Sequence, residues 1–319
     1  MTRPEPQALE ASIRTDDGFA VAARIYEPAG APRASVVIHG ATAVPQRYYR
    51  RFAEYLASRG ARVSTYDYRG VGESRPMSLV DFPASMRDWA ELDARAVIRF
   101  ADQSSPGLPR LSVGHSFGGQ LVGLIDEARA VDSALMVGAQ LGYVAHWPVL
   151  ERARLHAVWN LAIPTLSALY GYVPGRFGLS QDLPSGVARE WSRWCRSPNY
   201  LMDHVEGARE RFARFDRPVL FYSFTDDSFA PEAAVDALLG ALDTARVSHR
   251  RYAPSELGRK EVGHFGFFRA QAQSRLWNEA GEWLDAAVER RPVRFASHRP
   301  SEIEISASDI HLDLQFGRA

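Results

Sequence analysis

The chain has a single cysteine, Cys195, and a single lysine, Lys260. A lone cysteine cannot close an internal disulfide, so the fold must rest on its core, as expected of a protein of the reducing cytoplasm. Its setting, Trp191-Ser192-Arg193-Trp194-Cys195-Arg196, reads as a small buried side chain rather than a reactive thiol. A lone loop lysine leaves Schiff-base and pyridoxal chemistry without a foothold. Neither sign of charge prevails, with 38 basic residues against 38 acidic. That balance removes the basic stripe needed to bind nucleic acid or an anionic membrane. Met1 to Ser12 lacks the apolar centre of a signal peptide, and no later run is long enough to cross a bilayer. His-Glu-x-x-His, paired Cys-x-x-Cys and the Walker phosphate loop are all missing, so no metal, nucleotide or other cofactor is expected.

What is present centres on Gly114-His115-Ser116-Phe117-Gly118-Gly119. An apolar run, Leu111-Ser112-Val113, leads into it and a helix-compatible stretch from Gln120 to Arg129 follows. A hydroxyl nucleophile needs this context: a sharp strand-to-helix turn that exposes Oγ, with glycines on both sides where backbone and helix crowd together.

Around this stretch, strand and helix patterns alternate. Ala11 to Thr15, an Asp16-Asp17-Gly18 turn and Phe19 to Tyr26 predict a hairpin. Strands at Ala34 to Ile38, Ala61 to Tyr68 and Ser133 to Ala139 are separated by helices at Pro45 to Arg59 and about Pro83 to Ala101. After an interruption come a strand at Pro218 to Phe224, a helix at Pro231 to Leu242, a strand at Arg246 to Tyr252 and a helix at Gln271 to Arg290. Such alternation predicts an α/β protein with a mostly parallel sheet and helices on both faces. Its reactive groups belong at the carboxyl ends of the strands.

The interruption, residues 140–215, is rich in aromatics, including Trp147, Trp159, Tyr170, Trp191 and Tyr200, and is punctuated by Pro164, Pro174, Pro184 and Pro198. It predicts an inserted helical cap broken at those prolines. The core is then 1–139 with 216–291. Residues 292–319 form a tail in which Ile303, Ile305, Ile310, Leu312, Leu314 and Phe316 alternate with polar residues, a strand period.

A serine hydroxyl needs a base in reach, and the base needs an acid to set its tautomer. His264, in Gly263-His264-Phe265-Gly266 between the last strand and the last helix, is placed to be that base. The acid should leave an intervening strand end, where Asp226 and Asp227 follow Phe224. In an extended loop neighbouring side chains point to opposite sides, so one carboxylate faces His264. Asp227, four residues before Pro231, is the better placed, and Asp226 becomes a loop-capping group.

The order Ser116, Asp227, His264 resembles the α/β-hydrolase superfamily from about Ser35 to Arg290. Other stretches carry the resemblance: His39-Gly40, Asp67-Tyr68-Arg69-Gly70-Val71-Gly72-Glu73-Ser74 and Gly263-His264-Phe265. The phrase Gly40-Ala41-Thr42-Ala43-Val44-Pro45-Gln46-Arg47-Tyr48-Tyr49 is similar to bacterial hydrolases near the serine aminopeptidase-like and monoglyceride-lipase-like group. The resemblance implies an α/β-hydrolase fold with oxyanion donors at the backbone N–H groups of Phe117 and Ala41, Thr42 being the second choice for the loop. His39 and His115 would line the floor of the pocket or serve as hydrogen-bonded packing groups, Tyr48 would face the substrate or pack on its helix, and the cap aromatics, Trp147 and Trp159 among them, would make the pocket apolar.

The reading that follows is a serine hydrolase acting on the ester or thioester of an apolar small molecule. The same site could serve an amidase, a peptidase or an acyltransferase. A lyase or cyclase that bypasses the acyl-enzyme and a non-catalytic binding protein are the remaining alternatives. The molecule would be a monomer, or a homodimer if the tail adds a strand to a sheet edge. Deleting residues 292–319 is therefore expected to lower the solution mass or the thermal midpoint, read by light scattering and melting; a truncated chain unchanged in both refutes the pairing.

Overall fold

The computed structural model describes residues 7–289; the tail lies outside them. Eight strands form one sheet, in the spatial order Gln7–Arg14, Ala20–Glu27, Ala61–Tyr66, Ala34–His39, Arg110–His115, Ser133–Val137, Pro218–Phe224 and Arg246–Tyr252. The first two pair antiparallel through the predicted Asp16-Asp17-Gly18 hairpin, and Ala20–Glu27 also meets Ala61–Tyr66 antiparallel. Every other neighbour is parallel.

Strands Ala34–His39, Ser133–Val137 and Pro218–Phe224 read as mostly apolar runs because both faces are covered. Ala34–His39 and Ser133–Val137 are buried at every position. Their side chains alternate between two cores. Val36, Ile38, Leu135, Val137, Leu220 and Tyr222 join one, with Phe52 and Leu56 of helix Arg50–Ser58 and Trp283 and Leu284 of helix Asn278–Glu289. Val37, Met136, Val219 and Phe221 join the other, with Val97 and Ile98 of helix Arg95–Ser104, Phe117, Leu121, Val122 and Leu124 of the wholly buried helix Phe117–Leu124 and Val235 of helix Glu232–Ala241. A two-residue period thus turns each strand into a wall between two helix layers.

From Ala34–His39 the chain first winds to one side, to Ala61–Tyr66, and then returns to the other, to Arg110–His115. The carboxyl ends of two adjacent strands therefore open at a topological switch point, where α/β folds leave a crevice. His39 pairs in register with Gly114, which sets the loop after His39 beside Ser116.

Several element ends differ from the sequence expectation. The helix expected from Pro83 starts at Met86, because Ser85 and Asp88 close a reciprocal capping box. It widens into a π segment, Trp89–Ala94, before continuing as Arg95–Ser104. Pro164 does not break its helix. Val149–Ala157, a π segment Val158–Ala162 and Ile163–Tyr170 run on without interruption, and the proline falls where the π segment has already disturbed the hydrogen-bond ladder.

The later part of residues 140–215 packs directly on the elbow helix. A Cβ built on Gly123 would come within 2.1 Å of the Phe212 ring, on helix Ala208–Ala213. Gly123→Ala should accordingly cost about 1–3 kcal/mol in urea unfolding, and Phe212→Leu in the same chain should recover part of that loss. Equal stability of wild type and Gly123→Ala would disprove the tight contact.

Candidate active site

Strand Arg110–His115 ends against Ser116, which is held at φ 52° and ψ −115° before helix Phe117–Leu124 begins. A non-glycine residue in that region carries strain of about 1–3 kcal/mol and persists only when its surroundings dictate it. Here they do. Ser116 N–H donates to Val137 O at 2.9 Å. A Cβ on Gly114 would lie 2.5 Å from the Gly119 backbone, one on Gly118 would lie 2.1 Å from His39 O, and one on Gly119 would lie 2.6 Å from Ala139 Cβ. Among the described residues neither the Ser116 hydroxyl nor the Phe117 N–H has a hydrogen-bond partner. Ser116 is 7% exposed.

The acid and base loops leave the ends of Pro218–Phe224 and Arg246–Tyr252. Asp227 Oδ2 lies 2.8 Å from His264 Nδ1, and Asp227 Oδ1 accepts the N–H groups of Phe229 and Ala230 at 2.8 and 3.0 Å. Asp226 points the other way and accepts Val262 N–H and Gly263 N–H at 2.8 and 3.0 Å, which pins the base loop. Two adjacent carboxylates thus divide the work between orienting the imidazole and holding its loop. Because a carboxylate only accepts, Nδ1 of neutral His264 carries the proton and Nε2 is the basic nitrogen.

His264 is buried, with its ring centroid 4.9 Å from that of His115 and 5.2 Å from that of the half-exposed Phe229. Gly138, not singled out from the sequence, has φ 57° and passes under the pair. A Cβ there would lie 3.1 Å from His264 Nδ1 and 3.2 Å from Asp227 Oδ2. Only the strand-end position of a glycine hinted at this.

Other expected pocket residues prove to be framework. His39 is 2% exposed and its Nδ1 lies 2.8 Å from Tyr66 Oη, so it packs behind the site instead of lining it. His115 is fully buried between Tyr49 and the His264 backbone, with Nδ1 2.9 Å from Tyr49 Oη and Nε2 2.9 Å from His264 O. Trp159 turns inward and packs edge-on against Trp191 with ring centroids 4.9 Å apart, because burying two indoles together removes more apolar surface than leaving one over a crevice. Trp147 does reach the acid loop, donating from Nε1 to Ser228 O at 2.9 Å. Tyr48 donates to Phe265 O at 2.5 Å and stays half-buried at the edge of the base loop. Ala41, the expected loop donor, directs its N–H to Tyr49 Oη at 2.8 Å, whereas Thr42 N–H, half-buried, donates to nothing among the described residues.

Among the described residues no group of three or more His, Cys, Asp or Glu is placed to hold a metal ion. No helix among them is long and apolar enough to cross a membrane.

The model of the Hydrolase_4 family, described as serine aminopeptidase S33, matches residues 30–254. The chain belongs to that family. Membership makes it a hydrolase of the α/β-hydrolase superfamily, and solved structures agree on the fold. An esterase domain from Rhodothermus marinus is 19% identical with TM-score 0.54, over 89% of this chain and 98% of that one. A thermostable carboxyl esterase from Bacillus coagulans in complex with glycerol is 16% identical with TM-score 0.58, over 88% and 99%. A lipase in an open form is 17% identical with TM-score 0.62, over 89% and 100%. Among curated proteins none matches the chain significantly. In S33 terms, the elbow, the acid loop and the base loop all lie at the carboxyl edge of one sheet, but His264 falls beyond the matched residues.

Burial of neutral imidazoles has a measurable cost. Burial pulls His39 from 6.5 down to about 3 and His249 down to about 4, and drives His115 well below 6.5, with the neighbouring His264 adding to the effect. Below about pH 6.5 the unfolded chain takes up protons that the folded chain refuses, so stability falls as pH drops through that range. Each group contributes up to ~1.4 kcal/mol per pH unit. His39→Gln, which keeps a partner for Tyr66, should flatten the slope of unfolding free energy between pH 6 and 4 by about that amount; an unchanged slope would show that His39 is not held neutral.

Proposed function

We propose that the protein is a serine hydrolase that cleaves the carboxylic ester, or thioester, of an apolar small molecule. The observation that carries this reading is the Asp227–His264 pair at 2.8 Å, oriented by two backbone donors to Asp227, with the imidazole ring 4.9 Å from that of His115, the residue before the strained Ser116. Ser116 Oγ attacks the carbonyl and His264 Nε2 takes its proton. Asp227 stabilises the imidazolium without being protonated, and the alcohol or thiol leaves with the proton returned from His264. Water then attacks the acyl-enzyme by the same route. The oxyanion is received by Phe117 N–H, at the unsatisfied start of its helix, and by an N–H of the loop after His39.

An apolar acyl group is favoured by the wall around His264, where Phe229, Phe265 and Trp147 converge. Residues 140–215 would act as its cap, tied to the acid loop through Trp147 and through Gln140 Nε2, which donates to Phe229 O at 3.1 Å. A second reading, amide or peptide hydrolysis, draws on the family description. An aminopeptidase must hold an ammonium group, and the two carboxylates nearest His264 are both engaged by backbone N–H groups. That favours the ester.

Intact mass after reaction with a fluorophosphonate should show one adduct on the wild type and none on Ser116→Ala. Asp227→Asn should fold normally and lose about 10⁴-fold in kcat. Matched ester and amide substrates should separate the two readings. Turnover that survives Ser116→Ala would instead mean chemistry without an acyl-enzyme.

A further inference from the structure

Three hydrogen bonds join the loop after His39 to the catalytic histidine through groups that take no direct part in the reaction. Ala41 N–H meets Tyr49 Oη at 2.8 Å, Tyr49 Oη meets His115 Nδ1 at 2.9 Å, and His115 Nε2 meets His264 O at 2.9 Å. Their directions follow from the end that admits no choice. A carbonyl oxygen only accepts, so His115 Nε2 must carry the proton. In the neutral ring Nδ1 then has none and accepts from the Tyr49 hydroxyl. With its proton committed, Tyr49 offers a lone pair to Ala41 N–H.

The chain is uncharged and stays so. His115 and Tyr49 are wholly buried, and burial holds the imidazole neutral and the phenol protonated. A proton on His264 during turnover makes a second cation on His115 less favourable still. The ring of Tyr49 is wedged edge-on against Tyr48, His115 and Phe268, with centroids 5.4, 5.8 and 4.9 Å away. Gly40 eases its approach to Ala41, since a Cβ there would come within 3.2 Å of Tyr49 Cε2.

The same loop is clamped beyond Ala41. Val44 N–H closes a turn onto Ala41 O at 3.1 Å, Ala43 takes φ 60°, and Gln46 N–H binds Asp67 Oδ1 at 2.6 Å. A backbone N–H fixed on Tyr49 is turned away from the crevice. The next along, on half-buried Thr42, has no partner among the described residues.

We propose that Tyr49 and His115 are positioning residues: their relay locks the oxyanion loop to the backbone of His264, holds Ala41 N–H out of the reaction, and leaves Thr42 N–H to act with Phe117 N–H on the oxyanion. The proposal rests on the serine hydrolase reading. It makes Ala41 a tether, and it makes the residue before the nucleophile a spacer that sets the distance between base and oxyanion loop.

Tyr49→Phe keeps the ring packing and deletes the hydroxyl. With an ester substrate it should lower kcat about 10- to 100-fold, at or below the loss of one oxyanion donor, with KM nearly unchanged. Affinity for a boronic acid, whose Ser116 adduct mimics the tetrahedral intermediate, should fall by the same factor as kcat/KM. His115→Leu, which offers neither an acceptor to Tyr49 nor a donor to His264 O, should lose a similar factor, and the double variant should lose no more than either single change. Tyr49→Phe that folds and turns over as fast as, or faster than, a fluorophosphonate-reactive wild type would mean that the released Ala41 N–H serves the oxyanion, and overturns the proposal alone. A wild type that takes no fluorophosphonate label overturns the hydrolase reading and this proposal with it.

Discussion

The backbone of Ser116 is the constraint on which the other parts converge. At φ 52° and ψ −115° a side chain is unfavourable, yet a serine stands there. The conformation holds because the chain around it is compressed. Strand Arg110–His115 passes so close to the start of the elbow helix that Gly114 and Gly119 almost touch, and His39 O occupies the space of a Gly118 side chain. Such proximity in turn requires the neighbouring parallel strands, whose register delivers Val137 O to Ser116 N–H. The sheet, buried on both faces, is the rigid body against which one strained residue is held.

Around that point charge is scarce and placed with care. Behind the site lie uncharged, hydrogen-bonded groups: His39 on Tyr66, His115 on Tyr49 and on the His264 backbone. In a low-dielectric interior, neutral groups with fixed dipoles can orient a reacting centre without competing for its proton. The carboxylate that faces the imidazole has its second oxygen saturated by two N–H groups, so it has one direction left in which to act. Its neighbour, Asp226, is committed to the loop that carries His264. A single dipeptide therefore sets both the tautomer of the base and the position of its backbone.

Much of this was legible beforehand. The strand Pro218–Phe224 falls where its apolar run placed it, since a strand buried on both faces is written as a mostly apolar run. The motif around Ser116 was readable because glycine is demanded wherever backbones meet. Less legible were features that depend on what lies opposite. Trp159 reads like a pocket residue until Trp191 is found against it. Pro164 reads like a helix end until the π segment before it absorbs the missing N–H.

The sequence by itself determined the alternation of strands and helices, the strand-to-helix turn at Ser116 and the presence of one histidine and two aspartates in loops that follow strands. These follow from local rules: side-chain period, turn chemistry and the glycines that close contact requires. The tertiary structure decided which carboxylate faces His264, which histidines pack behind it, that Gly138 passes beneath the pair, and that Ala41 N–H belongs to Tyr49. Each of those is a contact between residues far apart in the chain, and its partner is fixed only when the sheet brings separate loops to one edge.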